Sequence, residues 1–173
     1  MSDTQVIEQL NTLQRRVEDI YIPEVPVQPL FSAYKSAITL NVTGDGTLYT
    51  VIFDTEVSDV GGNYNNANGI FTAPVTGKYL FAARALPYGF GASHTILETR
   101  LITSNRTYYG DRYASPFVIA GSSYQSSAVY AVSVDMDAAD VAYFTLAVSS
   151  DTKTIDLYGA ATYHTYFQGY LLI

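Results

Sequence analysis

The chain has 173 residues, 48% hydrophobic and 14% charged, which is enough to bury one domain core and too apolar for a disordered tail. A formal net charge of −7 would repel a phosphate backbone, so nucleic acid is not an expected partner. The absence of cysteine rules out disulfide scaffolds, thiolate zinc sites and thiol nucleophiles.

The N-terminal run MSDTQVIEQLNTLQRRVEDI reads as the one helical segment, and it defines a unit at residues 1–22. Ser2 with Gln5 three residues on fits a capping box. Val6, Leu10, Leu13, Val17 and Ile20 then recur at spacings of four and three, with Leu10 and Val17 at heptad position a and the others at d. Such a stripe serves either a helix lying on its own domain or a short self-associating stalk. The sequel IPEVPVQP spaces Pro23, Pro26 and Pro29 three apart, the period of an extended polyproline spacer. A 23–29 linker of that kind would hold the helix away from the head, so a trimeric coiled-coil stalk is the preferred reading. The segment lacks the basic start and apolar core of a signal peptide, and no apolar run has the length of a membrane span. Production in a cytoplasm, with no membrane insertion, is therefore expected.

From Leu30 to the end, residues 30–173, the pattern changes to short strands separated by turn signals. Sixteen Tyr and eight Phe, with no Trp, sit among Val, Ile and Thr and favour sheet. Strands are predicted over 30–40, 48–53, 69–73, 78–86, 94–102, 107–113, 127–134, 141–148, 154–158 and 163–172. No helix-length periodicity interrupts them, so an all-β sandwich or jelly roll is expected.

The stretch GGNYNNANGIFTAPVTGKYLF, residues 61–81, has the glycines of a phosphate cradle. A cradle needs a helix to follow, and here two β-prone runs follow instead. The glycines are then turn residues: Gly61 and Gly69 are expected at angles denied to other residues, and Pro74 with Gly77 frames a tight turn. Tyr79 and Phe81 alternate with Leu80 and Ala82, so one strand face carries the large rings.

Phe53-Asp54, Val57, Val60-Gly61, Tyr64 and the run from Gly69 to Phe81 together resemble the signature of the C1q globular domain. Leu30-Phe31-Ser32-Ala33 resembles that family's opening strand, and Phe167-Gln168-Gly169-Tyr170-Leu171-Leu172 its closing one. Ala139-Asp140-Val141 stands where the family usually has a Gly-Asp turn. The resemblance implies a C1q/TNF-like jelly roll assembled as a homotrimer. It also implies core and trimer-interface roles for Phe53, Tyr64, Phe71, Tyr79, Phe81, Phe167 and Tyr170. The chain departs from many animal members in having no collagen-like repeat, no cysteine and no signal peptide.

Catalytic constellations are sparse. His94 and His164 fall on different predicted strands without a neighbour at ligand spacing, and no G-x-S-x-G occurs. Asp54, Glu56 and Asp59 are close in sequence, but the resemblance gives Asp54 a structural place, so no enzyme is expected. Asp135, Asp137 and Asp140 supply hard oxygen ligands of the kind calcium takes, and the resemblance adds calcium near a trimer apex. The same run reads more readily as a solvated hairpin turn, since it lacks the EF-hand layout. No other cofactor is expected. Tyr108, Tyr109, Arg112 and Tyr113, with Tyr124 beyond, form the candidate binding surface, because large rings beside Arg give contact area at low entropic cost. The competing reading turns alternate tyrosines into the core. Two sequons, at Asn41 and Asn105, have no expected role.

The reading these features favour is a non-enzymatic homotrimeric knob on a virion surface. A bacteriophage capsid decoration would dock on a capsid or other virion protein through residues 1–29 and meet host-surface glycans or proteins with its head. About twenty helical residues span only about 30 Å, which suits a knob held near its support. The alternatives are a tail-tip receptor binder and a secreted bacterial or invertebrate adhesin or lectin.

Overall fold

The computed structural model describes residues 2–18, 28–114 and 125–172. The helix α1 spans Asp3–Glu18. Ser2 N donates to Gln5 Oε1 at 3.0 Å while the Ser2 carbonyl accepts from Gln5 N and Val6 N, closing one arm of the capping box. Val6, Leu10 and Leu13 are all exposed, at 40%, 56% and 56%, so this stripe is not covered by the head. Val17 lies on the same helix, whereas Ile20, Pro23 and Pro26 lie outside the described residues. Gln28 and Pro29, the last two residues of the expected linker, are already bonded to the head. Gln28 Nε2 donates to the Leu171 carbonyl, and Pro29 O accepts from Leu171 N at 3.1 Å.

Fourteen strands are described in chain order. They are β1 Leu30–Tyr34, β2 Thr39–Thr43, β3 Tyr49–Thr50, β4 Thr55–Val60, β5 Tyr64–Asn65, β6 Ile70–Thr72 and β7 Gly77–Ala85. The rest are β8 Pro87–Tyr88, β9 Ile96–Thr103, β10 Thr107–Ala114, β11 Ala128–Met136, β12 Val141–Ser149, β13 Ile155–Leu157 and β14 Tyr166–Leu172. The first predicted strand, 30–40, is in fact two. The chain leaves the sheet after Tyr34, where Lys35 N donates to Thr165 O and Ser36 N donates to Asp54 Oδ1 at 2.8 Å. Strand β4 was not predicted, because TEVSDV is too polar to signal a strand. It forms one edge of its sheet, where charged residues are tolerated and discourage pairing with other chains.

Two antiparallel sheets make an all-β jelly-roll sandwich. One has the order β11-β7-β14-β1-β4, the other β10-β9-β12-β6-β5 with β3 also paired to β12; a small third sheet, β2-β13-β8, closes one side. Strand alternation decides what lies between the layers. On β7, Tyr79, Phe81, Ala83 and Ala85 are buried while Lys78, Leu80, Ala82 and Arg84 face out. Phe31 of β1 occupies the centre of a ring cluster. It stacks on Tyr64 and Phe71 at 4.7 and 5.0 Å between centroids and meets Phe167 edge-on at 4.9 Å. Phe53, Phe71, Tyr79, Phe81 and Phe167 are all buried, as is Tyr64, whose hydroxyl donates to the Phe53 carbonyl at 3.1 Å. Tyr170, given a core or trimer-interface role, is 39% exposed on the single chain, because its position on β14 alternates with Phe167 and Gly169 and turns it outward.

Glycine positions keep this packing possible. Gly69 has φ +77°, and a Cβ there would come within 2.6 Å of the Val51 carbonyl oxygen. Gly61 likewise has a left-handed φ of +98°, as expected. At Gly169 a Cβ would meet Phe81 and Phe31 ring carbons at 2.6 and 2.7 Å. Gly169→Ala should therefore overpack the ring cluster and lower stability by roughly 1–3 kcal/mol, read as a shift in the denaturant midpoint.

Candidate functional site

The hairpin β9–β10 carries the surface singled out for its tyrosines. Leu97, Thr99, Leu101 and Thr103 of β9 are buried, so Ile96, Glu98, Arg100 and Ile102 face out. Strand β10 forms the edge of the same sheet, with Tyr109 opposite Arg100 and Arg112 opposite Glu98. Three steps along β10 thus match two along β9, and a bulge at Gly110-Asp111 absorbs the extra residue. Without it, Tyr109 and Arg112 would point to opposite faces; with it, both stand on the outer face. The bulge is held from the neighbouring sheet by Asp111 Oδ2, which accepts from Val129 N at 2.9 Å.

Glu98 organises the charges there. One carboxylate oxygen accepts from Arg100, and the other lies 3.2 Å from Arg112 Nε. The carboxylate side chain is 11% exposed and the Arg112 side chain 59% exposed, so an almost buried anion anchors an open cation. Arg100 Cζ also lies 5.0 Å from the centre of the Tyr109 ring, itself 60% exposed, which adds a cation–π contact. Tyr108 turns the other way and packs with Tyr130 against the core. Of the five residues predicted, Tyr109 and Arg112 come together, Tyr113 lies on β10, Tyr108 leaves for the interior and Tyr124 lies outside the described residues. Arg100 and Glu98 were missed, since nothing local in the sequence gives their cross-strand register.

The acidic run is tied into the β11–β12 turn and an ion pair. Asp135, next to the end of β11, is paired with Lys78 at 2.8 Å. Asp140 Oδ2 accepts from Asn105 Nδ2 at 2.7 Å and from Asp137 N at 2.9 Å, and Asp140 N donates to Asp137 O. The Asp140 carboxylate thus caps the β11–β12 turn. Among the described residues no group of three His, Cys, Asp or Glu is arranged to hold a metal.

Other titratable residues are tied into the fold. Asp59 accepts from Asn63 N and Tyr64 N, both at 3.0 Å. Asp54 binds Ser36 N and the Thr55 hydroxyl and lies 3.9 Å from Lys35 Nζ. Burial opposes the Asp54 charge, but these hydrogen bonds and Lys35 outweigh it and hold the carboxyl below its ordinary value. Lys35 is almost completely buried, and desolvation lowers its pKa despite the opposing pull of Asp54. His94 is buried with Nδ1 accepting from Gly91 N at 2.9 Å and its ring edge-on to Phe90. His164 lies edge-on to Tyr158. Among the described residues no helix is long and apolar enough to cross a membrane.

A family model for the C1q domain matches residues 31–172. No curated protein sequence matches the chain. Among solved structures, the globular domain of zebrafish complement 1qA protein superposes with a TM-score of 0.56 at 17% identity, covering 84% of this chain and 98% of that one. Murine APRIL at pH 8.0 gives 0.55 at 14% identity, covering 84% and 99%. Eiger TNF from S. frugiperda gives 0.54 at 8%, covering 84% and 93%. At these identities the likeness concerns the fold.

If Glu98 anchors the two arginines as the geometry indicates, Glu98→Gln should cost about 1–3 kcal/mol of stability in urea unfolding. It should also release Arg112, visible as faster side-chain dynamics by NMR relaxation.

Proposed function

The chain belongs to the C1q domain family, and from that membership we propose that it is a non-enzymatic homotrimeric binding head. C1q/TNF-like domains are typically trimeric, non-catalytic binding modules. The observation that carries the reading for this chain is the outer face of the β11-β7-β14-β1-β4 sheet. The register aligns Leu80, Tyr170, Leu30 and Val60 into one apolar row across four strands. Beside it run Ala131, Ala82, Gln168 and Ser32, uncharged and mostly small, and beyond that Val129, Arg84, Tyr166 and Tyr34. Val129 and Tyr170 are 54% and 39% exposed. A broad apolar sheet face open to water is a surface awaiting a partner. A second and third copy of the same chain are the occupants the family membership supports. Tyr170 then serves the interface rather than the core. The exposed stripe of Val6, Leu10 and Leu13 supports a stalk that associates about the same axis.

With the sheet face taken up by self-association, the β9–β10 surface of Tyr109, Arg100 and Arg112 on the other sheet stays available for a ligand. We place the assembly on a virion surface, docked through the N-terminal segment. The exposed helix ahead of the head and the cysteine-free composition support this reading.

Light scattering at micromolar concentration should give three times the 18.9 kDa chain mass, and Tyr170→Lys should shift it toward one chain. A wild-type monomer would overturn the trimer. Deleting residues 1–27, which spares the bonded Gln28 and Pro29, should leave the head trimeric and abolish its attachment to particles in pull-down and micrographs. A truncated head that still decorates particles would refute docking through the N-terminus. A full-length chain found free in the medium would favour a secreted adhesin.

A further inference from the structure

The loop and hairpin leading through β5 and β6 enclose a shallow groove of about 340 Å³, lined by Gly62, Asn63, Asn65, Asn68, Ile70 and Thr72 beside the Tyr64 backbone. That volume falls within the roughly 300–1,000 Å³ of small-molecule sites. Tyr64 and Phe71, paired across the hairpin, are buried, so their neighbours Asn65, Ile70 and Thr72 take the outer face of the sheet. This is the side of the sandwich away from the apolar sheet face assigned to self-association.

Each asparagine is fixed by one half of its amide. Asn63 Nδ2 donates to Val60 O at 3.1 Å, Asn65 Oδ1 accepts from Ala67 N at 2.9 Å, and Asn68 Oδ1 accepts from Ile70 N at 3.0 Å. Asn63 Oδ1 and the amide nitrogens of Asn65 and Asn68 have no hydrogen-bond partner among the described residues. One acceptor and two donors are thus held in place before any ligand arrives, which cuts the ordering cost of binding. Half-buried Ile70 adds an apolar patch. In a chain with nine basic and sixteen acidic residues, none of the lining residues is charged.

We propose that this groove is a binding site for a neutral saccharide. Hydroxyl pairs on a sugar both donate and accept, matching amide halves of both kinds, and a sugar's C–H face would rest on Ile70. A charged ligand would find no counter-charge there and would leave its own charge poorly compensated. The inference rests on reading the head as a binding module, but it concerns a surface separate from Tyr109 and Arg112.

The test titrates the full-length chain with lactose, mannobiose, maltose and chitobiose by calorimetry and saturation-transfer NMR, with sialyllactose as the acidic comparison. At least one neutral disaccharide should bind, with Kd on the order of 1 mM. Thr72→Arg should fill the groove from an exposed position. Asn65→Asp with Asn68→Asp should keep the oxygens that cap Ala67 N and Ile70 N while removing both donors. Both variants should keep the wild-type melting temperature and weaken binding by about tenfold or more. Binding of none of the four neutral sugars, or binding unchanged in both variants, would overturn the site. So would binding of sialyllactose alone, lost on Arg112→Ala. Light scattering on the same samples separates the outcomes, since a trimer that ignores all sugars leaves the self-association reading intact.

Discussion

The packing of Phe31, Phe81 and Phe167 across the bare backbone of Gly169 is the constraint on which the rest of the fold rests. Phe31 and Phe167 come from opposite ends of the chain, on β1 and β14, and Phe81 comes from the middle, on β7. Those three strands lie side by side, so their ring contacts join the two termini of the head to its centre. Tyr64 and Phe71 of the second sheet stack on the same Phe31 and tie the layers together. Large rings at such spacing leave no space for a side chain at Gly169, since interiors are packed near crystal density.

Because the rings occupy the space between the layers, each sheet has one face left for the outside, and the two outer faces differ. The β11-β7-β14-β1-β4 face presents an apolar row with small residues beside it, which favours contact with a like surface. The other sheet presents an arginine pair braced by a buried carboxylate at one edge and an uncharged asparagine groove at the other. Charge therefore lies where it can be solvated or paired, and the apolar rows lie where a copy of the chain could cover them. The proposed self-association and ligand contact thus fall on opposite sides of one scaffold.

Much of the fold was legible in the residues. Tyr79 and Phe81 could be put on one strand face because alternation along a strand is local, and β7 is long and regular, whereas the interior place of Phe71 came from the family resemblance. Gly61 and Gly69 were readable because a turn demanding positive φ has few other solutions. Strand β4 was not readable: an edge strand is stabilised by its neighbour's hydrogen bonds, not by an apolar pattern of its own. For Tyr170 the resemblance left core and trimer interface both open, and only its parity on β14 shows that it turns outward. The candidate binding surface was half legible. Tyr109 and Arg112 were chosen for their chemistry, but Tyr108 was included on the same grounds and turns inward, partly buried against the core.

The sequence by itself determined the class of the fold, the rings that fill it, the helix ahead of it and the poverty of catalytic groups. These depend on side-chain type, strand alternation and turn geometry, all of which act over a few residues. Only the tertiary structure decided which polar side chains meet. The pairing of Glu98 with both Arg100 and Arg112 needs the β9–β10 register and the one-residue bulge that resets its parity. The apolar row from Leu80 through Tyr170 and Leu30 to Val60 likewise joins residues far apart in the chain. Register is set by the sum of contacts across a whole sheet, and no local stretch of sequence contains that sum.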